Sequence, residues 1–200
     1  MNRGVLIVFE GTDGSGKSTQ LPRLAARLEA AGHRVVRTRE PYDCGAGRAI
    51  REMARSGRRV APEQELAWFF EQRRAHVREV VRPALARGEI VLSDRYFIST
   101  AAYQGARGLD AAAILAASER EFPPPDLVLW LDLPVDEGLE RTHARGEPHE
   151  PAFEERAFLE SVRAAMASLA RSYIARLDAR GSADEVEARI AAAVRERVGL

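Results

Sequence analysis

One segment near the N-terminus combines residue types that can hold a polyphosphate. Residues 11–18 read Gly-Thr-Asp-Gly-Ser-Gly-Lys-Ser and fit the pattern G-x-x-x-x-G-K-[ST] at every defined position. The glycines let successive backbone N–H groups converge on a phosphate, and the N-terminus of the following helix adds a positive end. Lys17, the only lysine in the chain, can reach the terminal phosphates, and Ser18 can offer an oxygen to Mg²⁺. The segment predicts a phosphate-binding loop for ATP with Mg²⁺, with these contacts: Gly11, Thr12, Asp13, Gly14, Ser15, Gly16, Lys17, Ser18 and Thr19.

Asp13 is unexpected inside such a loop, because a carboxylate repels a triphosphate. It either points away from the phosphates or has a partner of its own, such as a hydroxyl of a second substrate. A solvated carboxylate fits the sequence equally well.

A second pair of polar residues, Asp94 and Arg95, ends a later apolar run. At the carboxyl end of a strand, Asp94 is placed to orient Mg²⁺ and its waters, and Arg95 can clamp a phosphate. A surface Asp-Arg turn is the alternative. No N-K-x-D motif follows, which weakens the GTPase interpretation and favours a kinase.

The elements that must position these residues alternate between short apolar runs and longer amphipathic ones. This alternation predicts an α/β fold with three layers, in which helices flank a five-stranded parallel sheet. The predicted strands cover residues 5–10, 34–38, 90–93, 127–131 and 174–177. The predicted helices cover residues 17–31, 47–55, 62–86, 111–121, 135–144, 153–172 and 183–198, and Ser182 is expected to cap the last one.

Size and composition limit the possible classes of protein. Two hundred residues suffice for one α/β domain, so residues 1–200 are expected to form a single kinase domain. Acidic and basic residues balance at 30 each, which gives no indication of a nucleic-acid partner. No segment is apolar for long enough to span a membrane, and the single Cys44 fits a reducing compartment. A cytoplasmic location is expected.

The polar stretch 145–151 lies between two predicted helices and carries arginines nearby. In a kinase such a loop is a candidate lid over the substrates, here expected at about residues 141–156. A plain surface loop is the alternative.

Across nearly its whole length the chain resembles the bacterial thymidylate kinases, which transfer a phosphoryl group from ATP to dTMP. The resemblance rests on several motifs in the family's order, and the stretch 99–105 after Asp94-Arg95-Tyr96 is the most specific of them. The motifs are residues 9–19, 38–41, 73–85, 94–105 and 125–132.

The resemblance implies roles around a thymidine monophosphate acceptor. Phe69 stacks on thymine and Arg73 hydrogen-bonds its carbonyl edge, although Phe69 taken alone fits a core position better. Asp13 holds the 3′-hydroxyl, and Tyr103 closes the space beside the 2′-carbon. Arg95 takes the acceptor phosphate. The full acceptor set is Asp13, Arg39, Pro41, Arg51, Phe69, Arg73, Arg95, Ser99, Thr100, Tyr103 and Gln104.

Two segments depart from the family pattern. In the phosphate-binding loop, Gly14 follows Asp13. Family members with this version of the loop also carry an arginine in the lid, usually in an Asp-Arg pair. This chain has Pro151-Ala152 at the position of that pair. Arg145 and Arg156 are therefore candidates, with Arg141 as a third, and the catalytic set becomes Lys17, Asp94, Arg95, Arg145 and Arg156. Tyr42-Asp43-Cys44 replace the usual Gly-Gly-Thr.

These departures leave two alternatives beside a dTMP kinase. One is a kinase for another deoxynucleotide or a nucleoside, and the other is a nucleotide-binding relative with impaired catalysis. The resemblance also implies a homodimer, to which the long helix 62–86 can contribute.

Overall fold

A computed structural model describes residues 3–144, 153 and 155–200. Within these ranges five strands form one sheet in the order β2-β3-β1-β4-β5, and every pair of neighbours runs parallel. The predicted five-stranded parallel sheet is confirmed. The strands are β1 (Val5–Glu10), β2 (Val35–Arg39), β3 (Ile90–Asp94), β4 (Leu127–Asp132) and β5 (Ile174–Asp178).

The helices follow the predicted order, with one addition. Ser182 caps the last helix in a full capping box with Glu185, as the sequence predicts. The helices are α1 (Lys17–Ala30), α2 (Gly45–Ser56), α3 (Pro62–His76), a π-helical turn (Val77–Val81), α4 (Arg82–Ala86), α5 (Phe97–Gly105), α6 (Ala111–Glu121), α7 (Val135–Ala144), α8 (Arg156–Ser168) and α9 (Ala183–Val198).

Two hydrophobic clusters cover the two faces of the sheet. Leu6 and Val8 of β1 pack with side chains from α2, α5, α6 and α8, whereas Ile7 and Phe9 pack with α1 and α9. This division follows from the strand geometry, since successive side chains point to opposite faces. The result is the predicted three-layer arrangement of helix, sheet and helix.

The boundaries differ from the prediction where tertiary contacts decide them. The segment predicted as one helix over 62–86 contains the π-helical turn Val77–Val81. The helix predicted over 153–172 is shorter: the backbone is extended at Glu155, and Leu169, buried in the core, turns the chain after Ser168. The extra helix, α5, has every residue but Gly105 buried, so it lacks the polar face that marks an amphipathic helix in sequence.

Polar residues meet where the parallel strands end. Glu10, Arg39, Asp94 and Asp132 close β1, β2, β3 and β4 respectively, and all lie at the carboxyl edge of the sheet. Ligands of open α/β sheets bind at this edge. Among the described residues, no helix has the length and apolar character needed to cross a membrane.

Candidate active site

The phosphate-binding loop leaves β1 at Gly11 and enters α1 at Lys17, as predicted. The Lys17 side chain is buried and folds back over the loop. Its Nζ donates to the carbonyl oxygens of Gly11 at 2.9 Å and Thr12 at 3.0 Å. Burial lowers the pKa of this ammonium, and the Arg95 guanidinium lowers it further. An incoming phosphate oxygen can replace the carbonyls as a stronger partner for the charge.

Gly14 brings the loop against α7. Its φ is +78°, and a Cβ added there would lie 2.1 Å from the carbonyl oxygen of Gly138. No side chain fits in this contact without moving α7. The backbone approach thus accounts for a glycine where a basic residue could otherwise follow Asp13.

Asp94 ends β3, next to the strand that leads into the loop. Its Oδ1 is buried and has no hydrogen-bond partner among the described residues. Ser18 lies at the N-terminus of α1, and both residues line the same cavity. Mg²⁺ in phosphoryl-transfer sites is bound by one or two protein oxygens together with water and phosphate, so this donor set fits a Mg²⁺ site.

Arg95 lies at the centre of the site. Its Nη2 donates to Asp13 Oδ1 at 2.6 Å, and its Nη1 donates to Ser99 Oγ at 3.1 Å and to the Gly11 carbonyl at 3.2 Å. Arg95 is the one non-glycine residue with positive φ (69°) in the described part of the chain. It faces a cavity, which argues against a plain surface Asp-Arg turn.

The cavity measures about 390 Å³, within the usual range for small-molecule sites. Its lining combines phosphate-binding groups with the aromatic side chains of Phe69 and Tyr103, and the Arg95 guanidinium lies 5.4 Å from the centroid of the Tyr103 ring. Of the predicted site residues, the following line it: Asp13, Gly14, Gly16, Lys17, Ser18, Arg39, Pro41, Arg51, Phe69, Asp94, Arg95, Ser99 and Tyr103.

The remaining predicted residues lie elsewhere. Arg73, Thr100 and Gln104 are buried behind the wall, and Arg145 lies outside the described residues. Gly11, Thr12, Ser15 and Thr19 belong to the loop but do not line the cavity. Four cavity residues were missing from the predicted set: Glu40, Ile50, Ala54 and Phe153.

Arg73 has no exposed surface and pairs with Glu40 through Nη2 and Oε2 at 2.5 Å. The same Nη2 donates to Thr100 Oγ1 at 2.8 Å, whereas Nη1 is buried without a hydrogen-bond partner in the described ranges. Glu40 also contacts His76 Nδ1 at 2.9 Å and accepts from Gln72 Nε2 at 3.0 Å.

This network decides the charge of Glu40. Burial alone would raise the pKa of the carboxyl, but Arg73 and His76 outweigh burial and hold the pKa below its usual value. The ionised Glu40 fixes the Nε and Nη2 side of the Arg73 guanidinium, and Nη1 is the nitrogen without a hydrogen-bond partner in the described ranges. Glu40 could have been predicted from its place between Arg39 and Pro41 in a family motif.

Tyr103 and Gln104 follow each other in α5 but differ in position. Tyr103 reaches the cavity, and burial raises the pKa of its phenol to about 12. Gln104 is fully buried and donates to Glu65 Oε1 at 2.6 Å. The structure therefore places Tyr103 at the wall and Gln104 one layer behind it.

In the unusual segment 42–44 the Tyr42 side chain packs away from the cavity, whereas Asp43 pairs with the cavity-lining Arg51 at 2.7 Å. The Tyr42 ring stacks on His76 with centroids 5.2 Å apart, and its hydroxyl donates to Glu79 at 3.0 Å. A Cβ on Gly47 would lie 1.8 Å from the Tyr42 carbonyl oxygen, so α2 fits closely against this turn. None of residues 42–44 lines the cavity.

The lid-arginine candidates have other partners or lie outside the description. Arg156 pairs with Asp136 of α7 at 2.5 Å, with both side chains largely exposed, and it does not line the cavity. Arg141 donates to the Ala179 carbonyl at 3.3 Å. Arg145 falls within residues 145–152, which the structure does not describe.

The parallel sheet, the loop around Lys17 and the Asp94-Arg95 pair beside a second-substrate cavity define a P-loop nucleotide kinase. The model of one family, described as thymidylate kinase, matches residues 9–190. The chain therefore belongs to the thymidylate kinase family, and the sequence-based assignment is confirmed.

Curated relatives agree over nearly the full chain. The thymidylate kinase of Akkermansia muciniphila is 46% identical over 195 residues, covering 98% of this chain and 93% of its own. That of Caulobacter vibrioides is 44% identical, covering 100% of both chains. That of Deinococcus radiodurans is 43% identical, covering 98% and 99%.

Proposed function

We propose that this protein phosphorylates dTMP to dTDP with ATP as the phosphoryl donor, a step in dTTP synthesis. One observation carries the proposal: a single cavity is lined both by the phosphate-binding loop and by the aromatic side chains of Phe69 and Tyr103. A nucleotide acceptor offers the matching groups, a phosphate and a planar base. The relatives named above, all thymidylate kinases, support dTMP as that acceptor.

At the phosphate end the reaction is a direct in-line transfer with no covalent intermediate. Lys17 exchanges its loop carbonyls for oxygens of the transferred phosphoryl group, and Arg95 holds the acceptor phosphate. Both cations face the charge that spreads over the equatorial oxygens. Ser18 and Asp94 would hold Mg²⁺, which would supply charge neutralisation for the donor phosphates.

Other side chains of the site select the base and the sugar. Phe69 stacks on thymine, and the buried Arg73 offers Nη1 to a carbonyl of the base beside Thr100. Tyr103 closes the space next to the 2′-carbon, while Asp13 accepts from the 3′-hydroxyl. Gln104 supports this wall from behind through its bond to Glu65.

Several wider features belong to the same proposal. Residues 1–200 act as one kinase domain whose lid lies at about 141–156, and Arg145 or Arg156 closes over ATP. For Arg156 this requires the exposed pair with Asp136 to break, which costs little for solvent-exposed charges.

The unpaired thiol of Cys44 supports a cytoplasmic location.

A homodimer is proposed through the surface of α3. Its side chains Leu66, Trp68 and Phe70 are only partly buried in the described chain, and a partner subunit can cover them further. Sedimentation at several protein concentrations measures the mass in solution.

A panel of acceptors tests the function. ADP release from ATP and Mg²⁺ is measured with dTMP, dCMP, UMP and thymidine, and we expect the highest kcat/KM with dTMP. Equal or faster turnover of dCMP or UMP contradicts the assignment. ATP binding without turnover of any acceptor would instead identify a relative that has lost transfer activity.

A further inference from the structure

Glu10 is a buried carboxylate at the active site to which the mechanism above gives no role. It is the last residue of β1, directly before Gly11, and it has no exposed surface. Its Oε1 accepts from the backbone N–H groups of Tyr96 at 3.0 Å and Ser99 at 3.1 Å. Its Oε2 accepts from the Ser99 hydroxyl.

These contacts determine the direction of a hydrogen-bond chain. Ser99 Oγ lies between two groups: Arg95 Nη1, which donates to it at 3.1 Å, and the carboxylate of Glu10. A guanidinium can only donate and an ionised carboxylate can only accept. The single hydroxyl proton must therefore point to Glu10, which leaves the Ser99 lone pairs facing Arg95.

Glu10 also holds the backbone next to Arg95. With φ at 69°, Arg95 has a left-handed conformation that is unfavourable for a residue with a Cβ. The backbone N–H of Arg95 donates to the Phe9 carbonyl at 2.9 Å. The backbone N–H of the next residue, Tyr96, donates to Glu10. The end of β1 thus fixes both sides of the strained residue.

We propose that Glu10 is a positioning residue, which aims the Arg95 guanidinium at the phosphate of the acceptor through Ser99 and the Tyr96 amide. The inference rests on the proposed function, because it assumes that Arg95 binds the acceptor phosphate. Glu10 does not act as a base, since its oxygens are occupied and the acceptor phosphate needs no deprotonation by the protein.

The protonation of Glu10 is expected to affect this alignment. Burial raises the pKa of Glu10 to about 7, although Ser99 and Arg95 oppose the rise. A protonated carboxyl can donate, so the direction of the Ser99 hydroxyl is no longer imposed. In the register of β1 with β4, Glu10 lies opposite Trp130. Asp132, two residues further along β4, forms ion pairs with Arg163 and Arg176. The other charged or titratable groups of this cluster are Asp13, Lys17, Asp94, Arg95 and Tyr103.

Binding of dTMP and thymidine without ATP tests the proposal, because the two ligands differ only in the phosphate. Calorimetry at pH 8 compares the wild type with Glu10→Gln. We expect dTMP to bind roughly tenfold more weakly to the variant, as for loss of a hydrogen bond to a charged group. Thymidine should bind with unchanged affinity. An equal loss for both ligands, or no loss, overturns the proposal.

Two further variants keep the test decisive. Ser99→Ala retains Glu10 and its backbone bonds but removes the link to Arg95, so it should also weaken dTMP selectively. It decides the outcome if Glu10→Gln does not fold. Glu89→Gln removes another buried carboxylate, paired with Arg87 at the opposite edge of the sheet, and should bind both ligands as the wild type does.

The pH dependence separates positioning from general structural support. Between pH 6 and 8 the wild-type preference for dTMP over thymidine should increase as Glu10 ionises. Glu10→Gln should retain only the change from the ligand's own second phosphate ionisation, near pH 6 for phosphate esters. Identical profiles contradict the role of Glu10. A wild type that does not phosphorylate dTMP contradicts the proposed function instead.

Discussion

At the scale of single residues, Arg73 has one guanidinium nitrogen committed to Glu40 and Thr100 and another, Nη1, with no partner in the described ranges. We expect Arg73→Lys to raise KM for dTMP about tenfold or more and leave KM for ATP unchanged. Lysine keeps a positive charge beside the buried Glu40, so the variant avoids an isolated carboxylate.

The coupled ADP-release assay with dTMP and dCMP measures this prediction. The neighbouring Arg74 pairs with Glu121 at the surface and provides the matched control, Arg74→Lys. Unchanged preference for dTMP in Arg73→Lys would falsify the assignment of Arg73 to the base.

The raised pKa of Glu10 leads to a prediction about the free energy of unfolding. Its folded pKa of about 7 lies above the ordinary value of 4.5, so the folded state favours the protonated form. Its contribution to stability is complete below about pH 4.5 and is lost as the pH rises through 7. Urea unfolding of the wild type and Glu10→Gln at pH 5 and 8 should show the wild type losing stability relative to the variant. Parallel profiles contradict the shift.

Sequence predicted best those residues whose chemistry depends on neighbours in the chain. Lys17 and Ser18 follow from the loop motif, and Asp94 and Arg95 follow from the end of a strand. Glu10 and Glu40 were missed as site residues because their partners come from distant segments, such as Ser99 for Glu10 and Arg73 for Glu40. Both residues lie within family motifs, but the local pattern alone does not show that such a carboxylate is buried and paired.

At the scale of elements, the contact between the phosphate loop and α7 depends on Gly14. We expect Gly14→Ala to weaken ATP binding and to lower the thermal midpoint, because the new Cβ meets the Gly138 backbone. Gly32→Ala is the control: it has φ +88° but nothing within 4 Å of its Cβ. The two variants share backbone strain, so equal effects on ATP binding and melting contradict the role of the contact.

For the turn at residues 42–44 we expect a substitution to lower stability without changing the preference among acceptors. Tyr42→Gly restores the residue usual in the family and removes the contacts with His76 and Glu79. We expect a loss of about 1 kcal/mol in the free energy of unfolding, measured with urea. The order of preference among acceptors should not change, since Tyr42 lies off the cavity wall. A changed order in the acceptor panel contradicts this placement.

Helices with an exposed face could be predicted from the sequence better than buried ones. Helices with one exposed face, such as α1 and α9, were predicted almost to the residue. The helix α5, buried at every residue but Gly105, was missed as a helix, although its sequence was the most family-specific motif. The π-helical turn at Val77–Val81 also has no sequence signal, because it arises where α3 meets the core.

At the scale of the whole molecule, the alternation of strands and helices was enough to predict a parallel three-layer fold. The order of strands and the depth of the cavity were not predicted, since both depend on how the layers pack. The cavity links the sheet edge to α2, α3 and α5, so an acceptor contacts several elements at once.

Binding should therefore stabilise the whole fold. At about 100 times its Kd, dTMP is expected to raise the free energy of unfolding by about 2.7 kcal/mol. The same concentration of dCMP should give a smaller rise in the thermal midpoint. Equal shifts for the two nucleotides would show that the fold does not discriminate between them in binding.

The position of Lys17 has a practical consequence. Because it is the only lysine in the chain, its amine and the N-terminal amine are the two aliphatic amines of the molecule. Burial, which lowers the pKa of the Lys17 ammonium, increases the neutral fraction that reacts with acylating reagents. Its loop is the segment expected to bind the phosphates of ATP. Lys17 is thus the one lysine available for acylation, besides the N-terminal amine, and the rate of acylation at Lys17 reports how much of the enzyme has nucleotide bound.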